Sequence, residues 1–433
     1  MKKIYFIFSL FFIPFILSAC LMANLLGVYK KIFKIPNKKN RVVFGSSPIL
    51  NIKYWSQSLC NAGFLSETYV FNYFDSISER KDWDNVLRFK YLFLPYHLRP
   101  FLAFILSLFK YDIFILSYRG YFLQNTIFRF LQADLLRLAN KKIVIIPYGS
   151  DAYVYRNIRS SSWTHALMIS YPDASKKQMI IAREVDYWNR NADAVIPGMM
   201  GFDGIARWDV FSPSSLVLDL DDWKATSKIF FSDGFNEKIV IAHSPNHRGC
   251  KGTEYLIHAI ERLQSEGFLI ELLLLEKIQN SKVKQILCER ADILVEQLIF
   301  TGHGLSGLEG MASGIPTISN LEDETYTLPM RRWSFLNECP LVSATPEDIT
   351  DVLRELITNP SLRIDLGRAG REYVEKYHGL DSAQYLFENV FDYIYGKKDS
   401  IINLYHPILG EYPNRSPKVK HPLVNNRIVD YQS

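Results

Sequence analysis

His243-Ser244-Pro245-Asn246-His247-Arg248-Gly249-Cys250-Lys251-Gly252-Thr253-Glu254 follows the apolar run Lys238–Ala242 and enters a helix pattern extending from Thr253 to about Glu266. The segment reads as strand, basic loop, helix. Cations at such a junction, beside the free N–H groups of a helix N-terminus, suit a diphosphate. Gly249 and Gly252 let backbone approach an anion closely. Arg248 can clamp phosphate oxygens in a bidentate fork, and Lys251 adds a point charge. Taken alone, the segment reads equally well as a solvated basic loop.

A second loop enters a helix at Gly302-His303-Gly304-Leu305-Ser306-Gly307-Leu308-Glu309-Gly310-Met311-Ala312. Its first turn, Gly304, Leu305, Ser306 and Gly307, offers backbone N–H groups to an anion. Glu309 can accept hydrogen bonds from two vicinal hydroxyls, as a ribose presents. The competing reading is a surface carboxylate, but Leu308, Met311 and Ala312 give it an apolar setting.

Outward from these loops, apolar runs alternate with helix patterns. Arg41–Phe44 ends in Gly45-Ser46-Ser47-Pro48 and precedes a helix from about Lys53 to Ala62. Further strands are expected at Phe64–Phe71, Tyr111–Leu116, Lys142–Ile146 and Ala192–Pro197, with helices at Pro100–Phe109 and Asn125–Ala139. Phe211–Ser215 and Asp219–Trp223 read as a crossover. A second series has strands at Phe268–Leu275, Ile293–Val295 and Pro316–Ser319. Its helices are expected near Ser281–Arg290, Leu305–Ala312, Asp348–Leu356, Leu362–Tyr377 and Ser382–Tyr395. This alternation predicts an α/β protein with parallel sheets covered on both faces. The expected division is 1–40 membrane anchor and basic flank, 41–222 first Rossmann-like domain, 223–379 second Rossmann-like domain, 380–397 returning helix, 398–433 polar tail.

The length of 433 residues calls for two cores. With 48% hydrophobic and 22% charged residues, the chain is ordinary globular protein, not a disordered one. A net charge of +5 is too weak to argue for nucleic acid but suits anionic lipids or phosphorylated substrates. Five cysteines without CxxC spacing give neither a disulfide framework nor a zinc site.

Between Ile4 and Tyr29 there is no charged residue, enough to span a bilayer core of ~30 Å. Lys30, Lys31, Lys34, Lys38, Lys39 and Arg41 follow it, outweighing Lys2 and Lys3. That asymmetry predicts a body on the cytoplasmic side of the membrane behind an N-terminal anchor. Two other readings stand beside it. Leu17-Ser18-Ala19-Cys20 resembles a bacterial lipoprotein box, and the run could also form an interfacial helix.

The two loops together resemble glycosyltransferase family 4, retaining enzymes of the GT-B fold. The likeness covers roughly Arg41 to Tyr377 and is strongest from Lys238 to Ser319. It implies two Rossmann-like domains facing across a cleft, with an Arg and a Lys holding the donor diphosphate. Lys251 matches the Lys; Arg248 is the natural Arg, although Asn246 stands at the usual Arg position. The family pairs two Glu with seven residues between them. Glu309 matches the second, which holds the ribose. Thr301 stands where the first, sugar-contacting Glu falls, and Glu296 is the nearest acidic group. A subgroup with a similar HxPxHRxxKGTE segment and an acidic–Gln pair at this strand end also lacks that Glu. Tyr148-Gly149-Ser150-Asp151 resembles the family's HGxD turn, with Tyr148 in place of His. A Tyr titrates near ~10 and is a poor proton shuttle at neutral pH. Asp151 keeps a carboxylate for the acceptor hydroxyl, or serves as a helix N-cap. Gly45-Ser46-Ser47 resembles the loop beneath the donor phosphates.

The resemblance implies a nucleotide-sugar donor as substrate, no cofactor and no metal. Asp219-Leu220-Asp221-Asp222 only superficially resembles the DxD metal site of another glycosyltransferase architecture. The expected activity is sugar transfer to a lipid-linked or cell-surface polysaccharide acceptor. Rivals are a non-catalytic GT-B scaffold in envelope polysaccharide assembly and a GT-B sugar-nucleotide epimerase.

Overall fold

Buried apolar runs and amphipathic helices alternate along the chain, and in the computed structural model they fold into two parallel sheets. The structure describes residues 2–33, 40–198, 202–226 and 232–428, with side chains from Ser9 onward. Lys34, Lys38 and Lys39 of the basic flank, and residues 429–433 of the expected tail, lie outside the described residues.

The first sheet holds β1 (Arg41–Ser46), β2 (Leu65–Val70), β3 (Asn85–Val86), β4 (Ile113–Leu116), β5 (Lys142–Ile145) and β6 (Ala194–Val195). Their order is β3-β2-β1-β4-β5-β6. The second holds β7 (Ile239–His243), β8 (Ile270–Leu274), β9 (Ile293–Thr301), β10 (Thr317–Asn320) and β11 (Val342–Ser343), in the order β11-β10-β9-β7-β8. All of these strand pairs are parallel. The strand order reverses between β1 and β4, and again between β7 and β9. In open α/β sheets, ligands sit outside the carboxyl ends of the strands at such reversals. Both basic or Gly-containing loops singled out in the second half leave the sheet there.

β9 is longer than the expected Ile293–Val295, and its register is irregular. Ile318 pairs with Val295, Ser319 with Gln297, and Asn320 with Thr301. The extra residues carry Glu296 and Gln297 into the sheet interior. Periodicity did not reveal β3, β11, the helix Glu324–Trp333 or the short helix Arg248–Lys251. Two-residue strands are too short to show a period, and Pro329 inside the helix masks its pattern.

The helix Leu380–Ile394 returns from the second domain to the first. Phe387 packs against Phe44 and Trp55, with ring centroids 5.5 and 6.0 Å away, and Phe391 against Phe64 at 5.5 Å. One apolar cluster therefore runs from Phe44 and Trp55 to Leu308, Ala312 and Tyr373. The polar stretch after Lys397 does not hang free where it is described. Tyr405 and Tyr412 are buried, and Tyr412 donates to the Lys376 carbonyl at 3.0 Å. Near its end, the Asn426 carbonyl accepts from Ser343 N–H at 2.8 Å, covering the edge strand β11.

The N-terminal helix spans Lys2–Ile32, and its segment Ser9–Ile32 has a mean hydropathy of 2.1. By length and composition it could cross a membrane. It also packs against the first domain, and Cys20 lies buried in mid-helix.

Phe387→Ala should destabilise the protein by on the order of 3–5 kcal/mol, since truncation empties a site wedged between two domains. A lowered urea midpoint with loss of the shared transition is expected; an unchanged midpoint would show that the returning helix does not join them.

Candidate functional site

At the reversal in the second sheet, β7 ends in His243. Its Nδ1 meets the Val295 carbonyl at 2.7 Å and its Nε2 meets Thr253 Oγ1 at 2.8 Å. Burial pushes the imidazole down to about 4, so it is neutral, and it ties the end of β7 to β9 and to the start of the helix Thr253–Ser265. The loop then turns through the short helix to Gly252, whose φ of 71° is left-handed. This turn aims Lys251 inward. Lys251 Nζ donates to Gln297 Oε1 at 3.0 Å, Glu296 Oε1 at 3.3 Å and Ser306 Oγ at 3.5 Å.

Glu296 sits wholly buried beneath the N-terminus of the helix Leu305–Ala312. Its Oε1 accepts from Gly304 N–H at 2.8 Å and from Ser306 Oγ at 2.9 Å. A Cβ on Gly307 would lie 2.2 Å from its Oε2, so the helix approaches this closely only with glycine there. Burial opposes the charge, but Lys251, His303, Gly304 N–H and Ser306 together hold the carboxyl below its ordinary range. One of the N–H groups expected to face a ligand, that of Gly304, is thus engaged by an internal carboxylate. Glu296 Oε2 and both ring nitrogens of the buried His303 have no hydrogen-bond partner among the described residues. His303 faces His378, ring centroids 5.8 Å apart, whose Nδ1 bonds the Leu216 carbonyl of the crossover at 2.7 Å.

Glu309, one helical turn further, is buried and accepts from Asn280 Nδ2 at 2.7 Å. No cation pairs with it among the described residues, and burial pushes its carboxyl up to about 7. Asn280 also donates its backbone N–H to the Ile77 carbonyl of the first domain at 3.3 Å. Glu309 therefore lies where the two domains meet.

Arg248 is not brought into this group. It is exposed, paired with Glu276 through Nε and Nη2 at 2.8 and 2.9 Å and with Glu254 through Nη1 at 2.8 Å. Its two carboxylate partners belong to its own domain and already satisfy its fork. Asp219 accepts from Gln57 at 2.7 Å and Asp222 from Lys284 at 2.6 Å. Among the described residues, no three His, Cys, Asp or Glu side chains converge as metal ligands would.

In the first domain, Gly45, next to last in β1, lies against Tyr69 and Tyr121; a Cβ there would come within 2.5 Å of the Tyr69 carbonyl. Beside it opens a cavity of about 350 Å³, walled by Ser46, Asn72, Tyr73, Tyr96, Gln124 and Asn125 among others. None of its lining side chains is charged. Aromatic faces next to amide and hydroxyl groups suit an uncharged sugar.

Asp151 is buried and spends both oxygens on backbone. Oδ1 accepts from Tyr148 and Gly149 N–H at 3.0 and 3.1 Å, and Oδ2 from Tyr118 N–H at 3.0 Å. It caps two strand-end loops, not a helix, and burial pushes its carboxyl up to about 6. Tyr148 is 39% exposed at the mouth of that turn.

The helix Ser161–Ser170 of the first domain covers the basic loop. Ser170 Oγ accepts from Cys250 N–H at 3.1 Å, and Trp163 packs on Phe300 with centroids 5.1 Å apart. Sequence reasoning read Arg156–Arg190 as helical in part but missed that a helix there covers the basic loop, and it missed Asn280 and the His303–His378 pair. The visible signal for Glu296 was two polar residues, Glu296-Gln297, inside an otherwise apolar strand.

No protein-family model matches the chain, and no curated protein matches it. Solved structures do. One is an alpha-glucosyltransferase in complex with UDP and a 13-mer DNA containing a central A:G mismatch, with TM-score 0.51, 11% identity, and 82% of this chain and 100% of that one covered. A glycosyltransferase from Rickettsia africae gives TM-score 0.50 and 13% identity over 83% of this chain and 100% of that one. The catalytic domain of starch synthase IV from Arabidopsis thaliana, bound to ADP and acarbose, gives TM-score 0.50 and 11% identity over 82% and 100%. The fold is that of the GT-B glycosyltransferases.

The raised pKa of Glu309 has a definite sign. The folded protein holds this proton longer than the unfolded chain, so stability falls as pH rises from 4.5 to about 7. Glu309→Gln should therefore stabilise the ligand-free protein by about 1–3 kcal/mol near pH ~8 and by nothing below pH ~4. Thermal unfolding across that range checks it; a pH-independent change would contradict the assignment.

Proposed function

We propose that the protein is a glycosyltransferase that moves a sugar from a nucleotide-diphosphate-sugar donor to a lipid-linked or cell-surface polysaccharide acceptor. The observation that carries this is the convergence of Lys251, Ser306 and Glu309 at the reversal of the second sheet, facing the first domain. Lys251 and the N-terminus of the helix Leu305–Ala312 supply positive potential for a diphosphate. Glu309, unpaired by any described cation, accepts from the ribose hydroxyls. Two of the similar structures hold a nucleoside diphosphate, which supports this reading.

The chemistry asked of the protein is electrostatic. As the bond between the anomeric carbon and the diphosphate breaks, negative charge grows on the departing phosphate beside Lys251. The closed interface over Cys250 and Phe300 keeps water from intercepting the sugar. The uncharged cavity by Ser46 and Gln124 holds the acceptor, and Asp151 fixes the Tyr148 loop through its backbone N–H groups. Retention of anomeric configuration and independence from metal follow from the family resemblance. Arg248 would join the diphosphate only by exchanging Glu276 and Glu254 for it.

A second reading has one specific observation in its favour. Glu296 places a carboxylate under the helix that would hold the phosphate, as a non-catalytic scaffold with a filled site would. Donor binding separates the two.

Lys251→Ala should weaken binding of the cognate sugar nucleotide at least ~10-fold, while Arg248→Ala should weaken it less, because one lost charge-assisted contact is worth on the order of 1.5–3 kcal/mol. Calorimetry on a panel of sugar nucleotides measures both. Binding of none of the panel by the unaltered protein would sink the transferase reading, and binding without nucleoside diphosphate release in any acceptor extract would favour the scaffold.

A further inference from the structure

The N-terminal helix is not free on all sides. Ser9, Ile16, Ala19, Cys20 and Ala23 are buried along one side of the helix. Phe12 stacks on Phe101 with centroids 4.6 Å apart, and Asn24 Nδ2 donates to the Leu138 carbonyl at 2.8 Å. From Ser9 to Asn24, about 22 Å at 1.5 Å per residue, the helix thus lies lengthwise on the first domain. Its supports are the helices Arg99–Lys110 and Gln132–Leu138. The first of these is apolar nearly all round, and the N-terminal helix covers the side that the sheet does not.

Among the described side chains before Lys30, most of the remaining positions of the N-terminal helix are apolar and exposed. Phe11, Phe15, Leu21, Met22, Leu25 and Leu26 are all exposed. A contiguous face of this size does not stay in water. If the helix spanned the bilayer, the parts of the first domain packed on it would have to enter the hydrocarbon with it. Here, crossing the bilayer would drag Asp134 and Arg137 of the supporting helix into hydrocarbon, or strip the cover from Arg99–Lys110. A helix about 10–12 Å wide fits instead within one leaflet of a ~30 Å core.

Charge selects the lipid. Lys30 and Lys31 are exposed at the C-terminal end of the helix and suit anionic headgroups; Lys141 and Arg41 close by are paired with Asp112. Leu92, Phe93 and Tyr96 extend the apolar exposure along the loop that runs into Phe101, and Tyr96 and Pro100 also wall the uncharged cavity.

We propose that the first domain seats in one leaflet of an anionic bilayer, the N-terminal helix lying in plane with both its ends on the side of the catalytic domains. This seat brings the cavity to headgroup level, so the acceptor is an uncharged sugar carried on a lipid of that same leaflet. The acceptor part rests on the transferase reading above; the seating does not.

The test uses the full chain with Cys288→Ser and Lys3→Cys, added to preformed vesicles of phosphatidylcholine and phosphatidylglycerol. Exposed Cys60 serves as the same-side control. A membrane-impermeant maleimide should label Lys3→Cys as fully as Cys60 in intact vesicles. Labelling of Lys3→Cys only after detergent would mean a spanning helix and overturn the proposal. Leu21→Glu with Leu25→Glu, both on the uncovered face, should leave the unfolding curve unchanged and cut vesicle co-sedimentation at least tenfold. Undiminished co-sedimentation would overturn it too. Donor binding in detergent is indifferent to these outcomes, so its failure would remove the transferase reading and leave the seat standing.

Discussion

Glu296 is a carboxylate taken out of water and placed under a helix, and two loops of the second domain converge on its Oε1. Lys251 reaches it from one loop, while Gly304 N–H and Ser306 Oγ reach it from another. Gly307 permits the approach because any larger residue would collide with Oε2. Removing one partner of a buried pair leaves an uncompensated charge, which costs several kcal/mol. The geometry of the basic loop, the irregular end of β9 and the entry of the helix Leu305–Ala312 are therefore set together. Beside this cluster, at the domain boundary, lies Glu309, which no cation pairs among the described residues.

The boundary itself is held from three directions. The helix Leu380–Ile394 crosses back to the first domain, His378 ties the end of its predecessor to the crossover, and the helix Ser161–Ser170 closes over the basic loop. The paired histidines connect the Gly302–Gly304 loop with the point where the chain changes domain. Apolar contacts run from one sheet to the other in a single cluster, and Asn280, the partner of Glu309, bonds the first domain through the Ile77 carbonyl.

The legibility of the chain divides along physical lines. Most strands and helices could be placed within a few residues, since a buried parallel strand is a short apolar run and a covering helix has a 3.6-residue period. The helix Leu305–Ala312 was placed to the residue. Lys251 and Glu309 could be singled out because each sits at a fixed offset from a glycine turn. Arg248 could not be judged in the same way: whether it faces a ligand or Glu276 depends on a carboxylate 28 residues away in sequence. Asp151 keeps its position in the turn, but its burial under Tyr118 N–H reflects a loop from another strand. The stretch after Lys397 has no period, because Tyr405, Tyr412 and Asn426 are held by scattered partners instead of by a regular face.

What the amino-acid sequence alone determined is the α/β alternation, the two glycine-containing turns and the apolar N-terminal run, since each is a local pattern of polarity and backbone freedom. Tertiary structure alone decided the strand order and its two reversals, the burial of Glu296, the pairing of Arg248 and the side of the N-terminal helix that meets protein. The physical reason is range. Periodicity and turn chemistry act over a few residues, while pairing of charges and covering of faces are settled between segments that meet only when the chain has folded.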